Sequence, residues 1–117
     1  MPVPAEYQRA TDKFYEFLDD AKEISGLTST NVTYTMVQGV FQAFRRRLDL
    51  KDAIRFANVL PASTRALFVS DWNPDEEKKL FGDSTAILRE VKNLRSDHNF
   101  SPDTAVHDVA LALKKHV

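Results

Sequence analysis

The chain contains no cysteine, which removes disulfides, thiolate nucleophiles and every cysteine-based zinc module together. Glycine is nearly as scarce, at 3 residues in 117, and the 5 prolines sit at the edges of apolar-periodic blocks, so sheet architectures lack their usual punctuation. No stretch approaches the ~20 apolar residues needed to span a bilayer. The opening residues, MPVPAEYQRATDK, hold no apolar core of signal-peptide length. These absences predict a cytoplasmic protein without membrane contact. A charge excess is missing as well: 16 basic and 17 acidic residues leave a net charge of −1, so no global field gathers nucleic acid or anionic lipid. Binding of that kind would need a local patch.

What remains is helical. At 43 % hydrophobic residues, the chain can bury a core as one domain over 1–117. Tyr7, Ala10, Phe14, Phe17, Leu18, Ala21 and Ile24 form one apolar stripe, predicting a helix from about Pro4 to Ser25 that Gly26 ends. Thr28 is expected to cap a second helix running to about Leu48, with Val32, Met36, Val37, Val40, Phe41 and Phe44 buried. Gly39 inside it costs about 1 kcal/mol relative to Ala, which predicts a close helix crossing there. Asp49 caps a short third helix carrying Ala53, Ile54, Phe56 and Ala57. Leu60-Pro61 breaks the chain, and Leu67, Phe68 and Trp72 follow at helical spacing as a connector. Asn73-Pro74 and the acids after it predict one or two further turns. Asp83 or Ser84 opens a helix with the stripe Ile87, Leu88, Val91 and Leu94. Ser101-Pro102-Asp103 opens the last, which is expected to bury Ala105, Val106, Val109, Ala110 and Leu113.

The two ends of the chain also match each other. Phe17–Lys22 aligns with Ile87–Lys92 at an offset of 70, and Leu27–Phe44 aligns with Phe100–Val117 at 73, the difference being a longer second inter-helix loop. The expected fold is therefore all-α: a helical bundle of about six helices, built from two pseudo-repeated antiparallel hairpins (4–48 and 83–117) joined by a short central helix and connector (49–82).

The connector carries a family resemblance. Val59-Leu60-Pro61, then Arg65, Leu67, Phe68 and Trp72, resembles the glutamine-leucine-proline, arginine, apolar pair and glycine-tryptophan segment of the bacterial domain of unknown function 2267 family. Phe17-Leu18, Gly26-Leu27 and the arginine-rich Phe44–Leu48 agree with it along nearly the whole chain. Val59 stands where that family usually has glutamine, and Asp71 where it usually has glycine, which predicts a different turn before Trp72. The resemblance implies an all-helical bacterial protein with two related halves, and it implies no activity.

Candidate chemistry is sparse. His107 and His116 lie nine residues apart on one helix, on opposite faces at ~100° per residue, and no metal or other cofactor is expected. Asp71, Asn73 and Asp75 mimic the start of a calcium loop, but Glu76 stands where that loop requires glycine. Acidic pairs such as Asp19-Asp20 read as solvated surface. The one local asymmetry is basic: Arg45, Arg46 and Arg47, with Lys51 and Arg55 on the next helix, form a candidate patch for phosphate groups. Trp72 is the other candidate interaction residue. The leading expectation is a non-catalytic interaction or scaffold protein that self-associates as a homo-oligomer through an apolar edge, or binds an unknown protein partner. The alternatives are a binder of nucleic acid or another anionic ligand through the arginines, and a small-molecule carrier or enzyme using a pocket between the hairpins lined by Phe and Met.

Overall fold

Every regular element is helical in the computed structural model, which describes residues 3–117. The order is α1 (Ala5–Gln8), α2 (Ala10–Ser25), α3 (Thr30–Arg45), α4 (Leu50–Val59), α5 (Ala62–Val69), α6 (Ser84–Asn93) and α7 (Ala105–Lys114), with a 3-10 turn at Ser96–His98. The all-α bundle is as expected; several boundaries are not. The predicted first helix splits at Arg9, whose backbone (φ −102°, ψ 11°) leaves the helical region. Its first turn buries nothing, and Tyr7 is exposed, so no core contact holds α1 in line with α2. Ser29, one residue beyond the expected Thr28, caps α3: its Oγ accepts the Val32 N–H at 3.3 Å. Gly26 (φ 77°), Asp49 and Asp83 terminate or cap their helices as read from the sequence.

The helix expected after Pro74 does not form. Asn73 Oδ1 accepts the Asp75 N–H at 3.0 Å, so a side chain replaces the first helical bond. The following residues then bond to the end of α3: Lys79 N–H donates to the Arg46 carbonyl at 3.0 Å and Lys78 Nζ to the Leu48 carbonyl at 2.7 Å. Residues 73–82 are thus an irregular strap tied across the bundle.

The core is one cluster drawn from Phe17, Leu18 and Ala21 on α2, Met36, Val37 and Phe41 on α3, Leu67 and Phe68 on α5, Val91 on α6, and Val109 and Ala112 on α7. α3 packs most extensively on α6, and α2 on α7. The close crossing predicted at Gly39 is present: a Cβ there would lie 2.9 Å from the Val91 carbonyl oxygen. Two residues expected to be buried on the last helix, Val106 and Ala110, are exposed instead, and so is Ile54 among the apolar residues of α4. α4 packs on α5 through a strip centred on Ala53 and Ala57, which leaves Ile54 outside. Val106 and Ala110 face a gap that no side chain fills.

The connector explains its own sequence. Pro61 ends α4 and starts α5, leaving the last carbonyls of α4 without helical partners. Arg65 supplies them, Nε donating to the Ala57 carbonyl and Nη2 to the Leu60 carbonyl, both at 2.9 Å. Asp71 adopts the left-handed conformation (φ 53°), so the turn before Trp72 keeps a backbone shape that glycine reaches more easily.

Candidate functional site

Arg45 is the last residue of α3, and Arg46 and Arg47 follow it in the turn that ends the helix, so the three side chains are not confined to one helical face. Arg45 turns inward and is 1 % exposed. Its Nη1 donates to the Phe68 and Ser70 carbonyls, both at 2.9 Å, and its guanidinium lies 5.0 Å from the Trp72 ring centroid. Burial lowers its pKa from the ordinary arginine range while Glu76 pulls the other way. Arg46 bridges two carboxylates, its Nη1 lying 3.1 Å from Glu90 Oε1 and its Nε 3.5 Å from Glu76 Oε2. Arg47 is buried: Nη1 donates to the Ala43 carbonyl at 2.7 Å and Nη2 to Glu90 Oε2 at 2.5 Å. The hydrogen bond from Arg47 is the main reason the Glu90 carboxyl sits below the usual carboxylate range.

The candidate patch is therefore divided. Arg45, Arg46 and Arg47 point their charges at carbonyls and carboxylates of α5, the strap and α6. Lys51 and Arg55 are exposed on the outer side of α4, where Arg55 lies 3.9 Å from Asp52. Trp72 is half-buried between Arg45 and Phe68, with the two aromatic centroids 6.2 Å apart in an edge-on arrangement.

The pocket expected between the hairpins has phenylalanine in its walls, whereas Met36 is buried in the core and does not line it. α3 contributes Val40, Phe41 and Phe44, α4 Phe56, α6 Ile87, and α7 Val106, Val109, Ala110 and Leu113, while Phe81 reaches in from the strap. The cleft holds about 340 Å³ and all ten lining residues are apolar. Its aromatic wall is interlocked: Phe44 and Phe56 lie 5.0 Å apart, Phe41 and Phe56 6.5 Å, and Phe44 and Phe81 5.8 Å. Phe81 is 52 % exposed at the mouth, beside Leu80 at 90 %. Among the described residues no ionisable side chain lines this space, which is an apolar recess open to solvent.

The histidines are separated, as their spacing predicts. His116 Nε2 lies 2.6 Å from Asp20 Oδ2, tying the end of α7 to α2, and His107 lines a more open hollow with Asp103 and Thr104. Among the described residues no group of three or more His, Asp or Glu is placed to hold a metal ion. No helix among them is long and apolar enough to cross a membrane.

Comparison with known families finds a match to the model described as "Uncharacterized conserved protein (DUF2267)" over residues 14–117. The chain belongs to the DUF2267 family. The match begins at Phe14, inside α2, and takes in the arginine-rich end of α3, the connector, the strap and the cleft. Membership in DUF2267 brings a fold and no activity, so the functional reading rests on the geometry above. No curated protein and no solved structure matches the chain.

Proposed function

We propose that this chain is a non-catalytic binding protein that receives a small, uncharged, apolar group in the cleft between α3, α4, α6 and α7. One observation carries the reading: ten apolar side chains from four helices and the strap converge on a solvent-reachable space of about 340 Å³. That volume lies at the lower end of the ~300–1,000 Å³ typical of small-molecule sites. The purely apolar lining favours a hydrocarbon or aromatic group over any charged ligand, because a buried charge there would find no partner.

A neutral fluorescent probe, N-phenyl-1-naphthylamine, is expected to bind saturably with a blue-shifted emission. Ala110→Phe, on an exposed position of α7 facing the cleft, fills the space and should weaken binding by about tenfold or more, a loss of about 1.4 kcal/mol. Thermal unfolding of the variant should stay within a few degrees of the parent. Non-saturable binding, or binding indifferent to Ala110→Phe, overturns the reading.

A second reading, self-association as a homo-oligomer, draws on Leu80. Its side chain is 90 % exposed beside the mouth of the cleft, so each copy offers both a projecting apolar residue and an apolar recess. Sedimentation velocity should then show a dimer that Leu80→Asp dissociates, and a monomer at all concentrations counts against it. Binding of nucleic acid or another anion through Arg45, Arg46, Arg47, Lys51 and Arg55 gains no comparable support, because the first three guanidinium groups already have internal partners.

A further inference from the structure

We infer that residues 73–82 form a gate over the apolar cleft, latched closed by Glu76. The inference rests on the reading of the cleft as a binding site and concerns how that site is opened.

The segment has the construction of a hinged strap. It lies in the one long stretch without helix between α5 and α6, and residues with positive φ flank or end it, Asp71 at 53° and Gly82 at 122°. A Cβ built on Gly82 would meet nothing within 4 Å, so the distal hinge has room to turn. Between the hinges, Phe81 packs against Phe44 across the mouth of the cleft. Leu80, its neighbour, is 90 % exposed and does not anchor the strap.

The fastenings gather at one place. Glu76 faces Arg45 and Arg46, Lys79 N–H reaches the Arg46 carbonyl, and Lys78 Nζ reaches the Leu48 carbonyl, all at the end of α3. This latch is imperfect when closed. Arg45 Nε and Glu76 Oε1 are 3.9 Å apart, and each is buried without a hydrogen-bond partner. Burying two unsatisfied polar atoms offsets part of what the ion pairs contribute. Opening returns the Glu76 carboxylate to water and lifts Phe81 from the cleft, while Arg45 keeps its bonds to the Phe68 and Ser70 carbonyls. The bundle therefore need not unfold for the strap to move.

Glu76→Gln tests the latch by removing the charge while keeping the side-chain shape. In stopped-flow experiments with N-phenyl-1-naphthylamine, association and dissociation should both accelerate about fivefold, with the dissociation constant changed by less than about twofold. Amide hydrogen exchange should accelerate at Lys79 and its neighbours in the strap and remain unchanged in α3 and α6. Unaltered probe rates overturn the gate even if Lys79 exchanges faster, because the strap would then move without controlling entry. If the parent protein binds no probe, the ligand reading falls, and exchange at Lys79 still decides the latch. Acceleration confined to 73–82 supports it, and no acceleration, or acceleration spread through the bundle, overturns it.

Discussion

Arg47→Ala is expected to lower the free energy of unfolding by about 3 kcal/mol, at the lower end of the ~3–5 kcal/mol seen when one partner of a buried ion pair is removed. The Arg47 side chain is 2 % exposed and that of Glu90 17 %. Truncation leaves the Glu90 carboxylate at the α3–α6 contact with only Arg46, and leaves the Ala43 carbonyl without its side-chain donor. Urea denaturation should show a lower midpoint with an unchanged slope. A loss below about 1 kcal/mol would place the pair with ordinary surface bridges and overturn the assignment. Replacing both partners together, Arg47→Met with Glu90→Leu, should cost much less than either truncation, because no unpaired charge remains.

The same pair sets the acid limb of stability. The folded-state Glu90 carboxyl lies below its ordinary value, chiefly through the Arg47 hydrogen bond. Its stabilisation is therefore complete above the ordinary glutamate pKa of about 4.3, and is lost as pH falls from there through the depressed folded value. Glu90→Gln should be less stable than the parent at neutral pH and lose less on acidification, so the two stability curves converge at low pH. Asp103 is also depressed, by its hydrogen bond from Lys92, but it is fully exposed and should leave little trace.

Which parts of this were legible in the sequence depends on the range of the interaction. Gly26, Asp49 and Asp83 act within one helical turn of themselves, and their roles could be read directly. Gly39 was legible because a glycine inside a strong helix requires a reason. The partners of the arginines were not legible: Glu90 follows Arg46 and Arg47 by 44 and 43 residues, and nothing local distinguishes it from other surface acids. Three adjacent arginines therefore read as a patch, whereas the fold turns them onto backbone carbonyls and the carboxylates of Glu76 and Glu90. Phe81 was equally hidden, since a loop residue carries no periodicity. The residues after Pro74 read as a helix start because local propensity favours one, and tertiary bonds to the end of α3 prevailed.

The pairing of helices bears on the expected repeat. Under the sequence match, α2 corresponds to α6 and α3 to α7, and the observed packing is reciprocal: α2 on α7, α3 on α6. The acids follow suit. Asp20 on α2 meets His116 just beyond α7, and Glu90, its counterpart at the offset of 70, meets Arg46 and Arg47 just beyond α3. Reciprocal packing of this kind is what two related hairpins joined by the connector and strap would give.

Gly39→Val should destabilise the protein by about 3 kcal/mol, toward the upper end of overpacking costs. In an open helix Gly→Ala gains about 1 kcal/mol from propensity alone, so Gly39→Ala isolates the steric contribution. Its Cβ would lie 2.9 Å from the Val91 carbonyl oxygen and 3.2 Å from the Val91 Cα, both backbone atoms with no rotamer to change. The Val91 carbonyl is held in turn by Asn99 Nδ2 at 2.7 Å, which also bonds the Leu94 carbonyl at 2.8 Å, so α6 cannot retreat without losing its C-terminal fastening. The matching crossing of α2 and α7 places Ala21 and Ala112 where the first has Val91 and Gly39, and both alanines are fully buried. Gly39→Ala should be destabilising in the parent and remain so in a Val91→Ala background, because that substitution removes Val91 Cγ1, 3.3 Å from the new Cβ, and leaves the carbonyl oxygen and Cα in place, measured as a double-mutant cycle in urea. A neutral or stabilising Gly39→Ala in that background would show that the Val91 side chain, and not its backbone, sets the closeness of α3 and α6.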